Sequence, residues 1–286
     1  MSNVVYRGMD RAALDAGYNN SAAVGQVKRD RYIADWTARS KALADKVRAK
    51  RDLRYGEAPR NRIDFYPSGK ANAPTFVFIH GGYWQMSDKE NYGFIGAGPL
   101  AHGINVAMIE YTLAPAIRMD GIVAEVKRAM AWIVAHLGEL GAARDGVYVG
   151  GHSAGGHLTA SVVAEPGVKG ALPISGLFDL EPIRLCYLND AVRMDEAEAR
   201  RNSPLLNLPD LSGPNGAPPA VISVGEDELP ELRRQSADYY AAWTKKGLKG
   251  RYLPLKGHEH FSILEELAKP DGELTNAVRD LIAARV

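Results

Sequence analysis

The sequence predicts an α/β protein whose mostly parallel central sheet carries helices on both faces. Two observations support this fold class. Short β-rich runs alternate with helical patterns from residue 75 onward, and one intervening segment carries an apolar stripe at helical spacing. Such alternation is typical of parallel strands joined by helical crossovers. A chain of 286 residues suits a single domain, 1–286, that buries a substantial core.

The elements follow in order along the chain. An early run, 60–67, is predicted as a strand at the antiparallel edge of the sheet. The parallel strands are predicted at 75–80, 105–111, 146–151, 170–176, 220–225 and 250–255. Between the second and third of these, apolar residues recur at helical spacing over 119–140, which predicts a helix with one stripe packed on the sheet.

Two segments do not fit the strand–helix repeat. Residues 1–50 are mostly helical and charged, and 177–218 end in a Pro/Gly cluster that predicts a loop. Open α/β sheets bind ligands at the carboxyl ends of their strands, so both segments are candidates for a lid over such a site. A solvated surface excursion is the alternative interpretation.

Composition narrows the classes of partner. Lys and Arg number 35 against 34 Asp and Glu, so we expect a small, near-neutral substrate and neither a nucleic-acid nor a membrane partner. The single cysteine, Cys186, excludes an internal disulfide and is expected to be an ordinary semi-buried thiol. Neither a signal-peptide pattern nor a run of about 18 apolar residues occurs, so we expect a cytoplasmic protein. Oligomeric state is not predicted.

Ser153 lies in the stretch "VYVGGHSAGGHL", at the centre of a Gly-x-Ser-x-Gly pentapeptide. Average Gly and Ser contents produce this pentapeptide by chance in about one chain in ten of this length. Here a predicted strand leads in and a predicted helix, Ala154 to Ala164, leads out. That geometry strains the serine backbone, and Gly151 and Gly155 leave room for strand and helix to pack. Ser153 is therefore the predicted nucleophile, at the positive end of a helix.

A serine nucleophile requires donors for the oxyanion that it creates. The main-chain N–H of Ala154 is one of them, and the loop "HGGYW" after an earlier strand predicts Gly82 and Tyr83 as others, with Gly81 as a further choice. Tyr83 and Trp84 lie where side chains could line a substrate pocket. Packing beneath a lid is the alternative for both, and the two roles are compatible.

The general base must follow the nucleophile in this type of fold. Of the seven histidines, His258 and His260 lie beyond the last strand, and His260 is preferred because it directly precedes the helical pattern "FSILEEL". His80 is expected to brace the "HGGYW" loop by hydrogen bonding. Structural roles are expected for the remaining histidines, His102, His136, His152 and His157.

The acid that orients the base should lie at the end of strand 220–225. Glu226, Asp227 and Glu228 all satisfy this requirement, and position alone leaves the choice open. A buried carboxylate bonded to the far nitrogen of the imidazole would fix its tautomer and stabilise the imidazolium.

Several separated stretches together resemble the α/β-hydrolase superfamily, and in particular the arylformamidase (kynurenine formamidase) branch related to the hormone-sensitive-lipase-like carboxylesterases. They are "YRGMDRAALDAGYNN", "HGGYW", "GHSAGGHL", "SGLFDLEPI" and "EHFSILEEL", which span nearly the whole chain. The resemblance implies an α/β-hydrolase fold and a cofactor-free serine hydrolase acting on an arylformamide such as N-formylkynurenine, with a short carboxylic ester as the alternative. It also implies Glu228 as the acid, with Asp227 second.

Two other classes of function are weaker. A ligand-binding protein on a hydrolase scaffold would need no base, yet every residue type that catalysis requires is present. A metallohydrolase is disfavoured because "HGGYW" and "GHEHF" lack the helical spacing and carboxylate of a zinc site. No metal is therefore predicted.

Overall fold

The computed structural model describes residues 4–210 and 217–286, which contain an eight-stranded sheet. Its strand order is β1-β2-β4-β3-β5-β6-β7-β8. β2 runs antiparallel to β1 and β4, and the other neighbouring strands are parallel. The strands are β1 (Lys50–Arg54), β2 (Arg62–Tyr66), β3 (Ala73–Ile79), β4 (Asn105–Ile109), β5 (Ala142–His152), β6 (Val168–Ile174), β7 (Ala220–Gly225) and β8 (Gly250–Leu255).

Helices precede, connect and follow these strands. They are α1 (Arg11–Gly17), α2 (Asn20–Val24), α3 (Gln26–Lys46), α4 (Ala97–Ala101), α5 (Met119–His136), α6 (Ala154–Val162), α7 (Glu181–Arg184), α8 (Asn189–Val192), α9 (Glu196–Arg201), α10 (Pro230–Lys245), α11 (Glu265–Ala268) and α12 (Glu273–Ile282). Short 3₁₀ helices occur at Lys89–Asn91, Gly93–Gly96 and Ser262–Leu264. Within the described ranges, none of the helices is both long enough and apolar enough to cross a bilayer.

Apolar side chains of the sheet point alternately to two cores, as the pleat of a strand requires. On β3, Val77 and Ile79 belong to the core that also contains α5, α6 and α10, whereas Phe76 and Phe78 belong to the core that contains α3 and α12. Both faces of the parallel strands are therefore covered by helices, which confirms the predicted architecture.

The antiparallel edge is one strand further out than the sequence predicts. The run 60–67 contains β2, but β2 pairs on both sides, and the edge strand is β1. Four of the five residues of β1 are exposed, and its sequence "KRDLR" lacks an apolar alternation. β1 is held in place by hydrogen bonds to β2, so its own sequence does not show the alternation by which a strand is usually predicted.

The described part of segment 177–218 carries α7, α8 and α9 and packs against the core. Phe178, Ile183 and Val192 are buried in the core around α5 and α6. Of the Pro/Gly cluster predicted as a loop, residues 211–216 lie outside the described residues. Cys186 is fully buried here, and burial raises the pKa of its thiol to about 11. An inert thiol follows, and it is more deeply buried than the semi-buried thiol that the sequence predicts.

Candidate active site

Ser153 lies in the turn between β5 and α6, at the carboxyl end of the parallel sheet. Its φ is 60° and its ψ is −120°, a conformation that a residue with a side chain seldom adopts. The Ser153 N–H donates to the carbonyl of Ile174 on the neighbouring strand at 2.9 Å, which anchors the turn to β6. The predicted strained strand–turn–helix is therefore present.

The two glycines of the pentapeptide allow the turn to pack closely. A Cβ on Gly155 would lie 2.0 Å from the carbonyl oxygen of Ile79, and one on Gly151 would lie 2.3 Å from the carbonyl oxygen of Gly155. Real Cβ atoms do not approach main-chain oxygens so closely, so any larger residue would push α6 away from β3 and β5. The requirement for Gly151 and Gly155 is confirmed.

The "HGGYW" loop follows β3 and lies against Ser153. A Cβ built on Gly81 would come within 3.1 Å of the Ser153 Cβ, so glycine permits this approach. Among the described residues, no acceptor is bonded to the main-chain N–H groups of Gly82, Tyr83 or Ala154. Three unpaired N–H groups therefore lie on the two segments that flank the Ser153 hydroxyl.

His80 braces this loop, as expected. Its Nδ1 lies 2.8 Å from the Gly81 carbonyl oxygen and its Nε2 lies 3.0 Å from Glu110 Oε1. The same carboxylate accepts from the Lys89 N–H at 2.9 Å and from the Arg60 guanidinium at 2.6 Å. Burial alone would raise the pKa of Glu110, but these partners outweigh burial and lower it to about 2. The sheet thus holds the loop through an ionised carboxylate that sequence reasoning missed.

Trp84 packs in the core instead of lining the substrate pocket. Its side chain is fully buried, and its indole N–H donates to His157 Nδ1 at 3.2 Å. Since Nδ1 accepts, the other ring nitrogen of His157 donates to the Asn202 carbonyl at 2.8 Å. The prediction that Trp84 lines the pocket is wrong, because this bond draws its ring beneath the loop. His157 has the structural role expected for it.

The buried His157 makes stability depend on pH. Burial, offset only in part by the bond to Asn202, lowers the pKa of His157 to about 4, against about 6.5 in an unfolded chain. Because the unfolded state binds the proton more tightly, this contribution is complete above about pH 6.5 and is lost as the pH falls toward 4. Between pH 7 and pH 4 we expect wild type to lose about 3 kcal/mol more unfolding free energy than His157→Gln, measured by urea unfolding. Equal losses in the two proteins would contradict this.

The predicted acid and base are in direct contact. His260 Nδ1 lies 2.6 Å from Glu228 Oε2, and both side chains are almost fully buried. A carboxylate can only accept, so Nδ1 carries the proton and Nε2 of the neutral ring has a free lone pair. This is the tautomer that a general base for a serine hydroxyl requires.

The alternative residues lie elsewhere. Glu226 and Asp227 are exposed, and neither contacts His260 through a hydrogen bond within the described residues. His258 Nε2 faces Glu266 at 3.6 Å, and the His258 carbonyl accepts from the Asp227 N–H. Of the three candidate carboxylates, Glu228 alone reaches the imidazole.

Glu228 is held by a residue that sequence reasoning missed. Its Oε1 accepts from the Ser175 hydroxyl at 2.5 Å and from the Gly225 N–H at 2.8 Å. Ser175 follows β6, is fully buried and has a φ of 51°. The sequence did offer one indication of this role, because Ser175 is a polar residue at the end of the strand that lies between those of the predicted nucleophile and the predicted acid. Both oxygens of Glu228 are thereby engaged, and its orientation is fixed.

Ser153 and His260 line one cleft that opens to solvent and has an accessible volume of about 50 Å³. His152 lines the same cleft, with its ring centroid 4.4 Å from that of His260. Burial, together with the charge of His260, lowers the pKa of His152 well below its usual range. Within the described residues the Ser153 hydroxyl makes no hydrogen bond, and such bonds often tighten only when substrate binds.

The N-terminal segment forms the other wall of the cleft. Asn20 and Arg29 line it, and Tyr83 connects this wall to the loop. The Tyr83 hydroxyl donates to the Tyr18 carbonyl at 2.6 Å and accepts from Asn20 Nδ2 at 2.9 Å. Of the two segments considered as lids, residues 1–50 contribute to the cleft, whereas the described part of 177–218 does not line it.

Three carboxylates outside the cleft lie within 4.8 Å of one another, those of Asp88, Glu90 and Glu110. Asp88 and Glu110 pair with Arg60, and Glu90 pairs with Lys89 at 2.7 Å. Each of these carboxylates is therefore already paired with a cation of the protein, and we assign no metal to them.

Comparisons with known proteins agree with this geometry. Over residues 63–169 the chain matches the protein family described as BD-FAE. A kynurenine formamidase of Danio rerio is 31% identical over 97% of this chain and 98% of its own length. One of Salmo salar is 34% identical over 85% of this chain and 84% of its own. A solved structure from Silicibacter sp. TM1040, provisionally described as a thioesterase, has a TM-score of 0.82 and 28% identity, and the match covers 93% of this chain and 98% of that one.

Proposed function

Because the chain belongs to the kynurenine formamidase family of the α/β-hydrolase superfamily, we propose that it releases formate from an N-formylated aryl amine such as N-formylkynurenine. The chain is a hydrolase of amide or ester bonds. The proposal therefore concerns which bond it cleaves and which residues perform the reaction.

Ser153 acts as the nucleophile in this proposal. His260 Nε2 takes the hydroxyl proton while Oγ attacks the formyl carbon, and Glu228 stabilises the imidazolium that forms. The carbonyl oxygen becomes an oxyanion, which accepts hydrogen bonds from the main-chain N–H groups of Gly82, Tyr83 and Ala154. Because no acceptor among the described residues is bonded to these groups, they are available to the oxyanion.

The tetrahedral intermediate then collapses. His260 transfers its proton to the amine nitrogen, the C–N bond breaks, and a formyl ester remains on Ser153. Water attacks this ester while His260 again accepts a proton, and formate leaves as Ser153 recovers its hydrogen. The protein supplies every proton transfer through one imidazole, so we expect no cofactor to be required.

One observation carries the proposal. His260, whose Nδ1 lies 2.6 Å from Glu228 Oε2, lines the same cleft as the strained serine, in a chain that matches a kynurenine formamidase over 98% of that protein's length. The cleft also supports a short-ester reaction, since the same three N–H groups would stabilise either oxyanion.

A comparison of two substrates tests the choice of bond. We expect kcat/KM on N-formylkynurenine to exceed kcat/KM on p-nitrophenyl acetate, because the cleft offers polar contacts on the N-terminal wall that the small ester cannot use. Initial rates for each substrate, measured by the appearance of kynurenine and of nitrophenolate, give the ratio. Ester turnover far ahead of formamide turnover would replace the formamidase proposal with the carboxylesterase alternative.

A further inference from the structure

The wall of the cleft opposite the strained serine carries a cation. Among the described residues that line the cleft, Arg29 is the sole side chain with a permanent charge, and no carboxylate lines it. Arg29 lies in the first turn of α3, and its side chain is 27% exposed, so it is partly withdrawn from solvent.

The guanidinium of Arg29 contacts another residue of the cleft lining. Its Nη2 lies 3.8 Å from the Met86 sulfur, which is a weak acceptor. Arg29 and Met86 both line the cleft, so this nitrogen lies beside the space that a substrate would occupy.

The protein leaves much of the hydrogen-bonding capacity of Arg29 unused. Within residues 4–210 and 217–286 its one ion pair is with Asp30, at 3.1 Å from Nη1, and Asp30 is 56% exposed and also binds Gln26. A guanidinium carries five N–H donors in a planar fork that matches a carboxylate. Several of these donors remain available to an anionic ligand.

Asn20 adds an acceptor to the same wall. The Tyr83 hydroxyl donates its proton to the Tyr18 carbonyl, so it can only accept from Asn20. The group of Asn20 that faces Tyr83 is therefore the NH₂ group, and this fixes the orientation of the amide. The remaining Asn20 oxygen, Oδ1, is buried without a partner among the described residues. A buried acceptor in this state favours a ligand that brings a donor.

We propose that Arg29 and Asn20 together bind the amino-acid end of the substrate, Arg29 taking the carboxylate and Asn20 Oδ1 accepting from the ammonium group. This inference rests on the proposed function and specifies its substrate class, an aryl formamide that carries a zwitterionic side chain. Specificity then comes from the N-terminal segment, while bond cleavage takes place on the sheet.

Kinetics on matched substrates test this subsite. Relative to wild type, Arg29→Gln should lower kcat/KM for N-formylkynurenine by about 10- to 100-fold, mainly through KM, and change kcat/KM for the decarboxylated analogue N-formylkynuramine by less than about 3-fold. Arg31→Gln removes the same charge from an exposed position of α3 and should change neither. The analogue of N-formylkynurenine that lacks the amino group should bind more weakly than N-formylkynurenine to both wild type and Arg29→Gln. Both proteins keep Asn20, whose Oδ1 would otherwise accept from the ammonium group. Equal losses on all substrates would overturn the subsite.

Binding measurements separate this inference from the formamidase proposal. In Ser153→Ala, calorimetry should show N-formylkynurenine binding at least about 10-fold more tightly than N-formylkynuramine, a preference that Arg29→Gln abolishes. This preference without formamide turnover by wild type would retain the subsite and refute the formamidase proposal. Equal affinities, or equal turnover of both formamides by wild type, would refute the subsite and leave the formamidase proposal intact.

Discussion

Replacing Ser153 with alanine is expected to lower kcat/KM by about 10⁵-fold or more, to the residual rate that binding and the oxyanion donors alone support. The hydroxyl has no hydrogen-bond partner within the described residues, and alanine would occupy the same strained conformation. The free energy of unfolding should therefore change by less than about 1 kcal/mol. Steady-state kinetics and urea unfolding measure the two quantities on the same preparation.

Ser161→Ala is the matched control for this variant. Ser161 lies on α6, the helix that follows Ser153, its hydroxyl donates to the His157 carbonyl at 2.9 Å, and it does not line the cleft. We expect its kcat/KM to remain within about 3-fold of wild type. If the kcat/KM of Ser153→Ala stayed within 100-fold of wild type, the proposed role of Ser153 would be refuted, because another group would then have to act as the nucleophile.

Replacing Glu228 with glutamine is expected to lower kcat by about 10⁴-fold. In wild type, Oε1 accepts from Ser175 and Gly225, so the glutamine oxygen would take that position. Its NH₂ group would then face His260 Nδ1 and donate to it. That donation forces the proton onto Nε2, which is the tautomer unable to accept the proton of Ser153.

Asp227→Asn distinguishes the two acids that sequence reasoning kept. Asp227 is exposed on the same turn, and the change removes one charge, as Glu228→Gln does. We expect Asp227→Asn to retain kcat/KM within about 3-fold, measured on the same formamide substrate. A large loss in Asp227→Asn with an active Glu228→Gln would reverse the assignment of the acid.

The nucleophile turn is predictable from sequence because its geometry is local. A strand, two glycines around a serine and a helix define it within about ten residues, and each glycine contacts main-chain oxygen in the structure. The proposed base and acid could not be predicted from local sequence, since His260 and Glu228 are 32 residues apart and meet only through the order of the parallel strands. The requirement that acid and base follow the nucleophile limited the search to two short loops.

Residues that hold the site in place were harder to predict. Ser175 and Glu110 act through hydrogen bonds to other side chains, and the sequence around each of them does not indicate which residue it bonds to. Trp84 illustrates the opposite difficulty, because an aromatic residue beside the loop is compatible with a pocket wall and with the core. The hydrogen bond to His157, which is 73 residues away, decides between them.

The N-terminal wall of the cleft also escaped detailed prediction. Charge and helical pattern indicate that 1–50 is a mostly helical cover, but they do not show which side chains point inward. The positions of Asn20 and Arg29 at the cleft depend on the hydrogen bonds by which Tyr83 connects this segment to the loop. Long-range contacts of this kind depend on how α2 and α3 pack across the end of the sheet.

The most direct test of the account is to map the residue that a fluorophosphonate probe modifies. The account predicts one adduct per chain, located at Ser153 by peptide mass spectrometry, with loss of hydrolysis in proportion to modification. A ligand-binding protein on this scaffold would remain unmodified. Full hydrolytic activity after complete modification of Ser153, or inactivation with the adduct at another residue, would contradict the central claim.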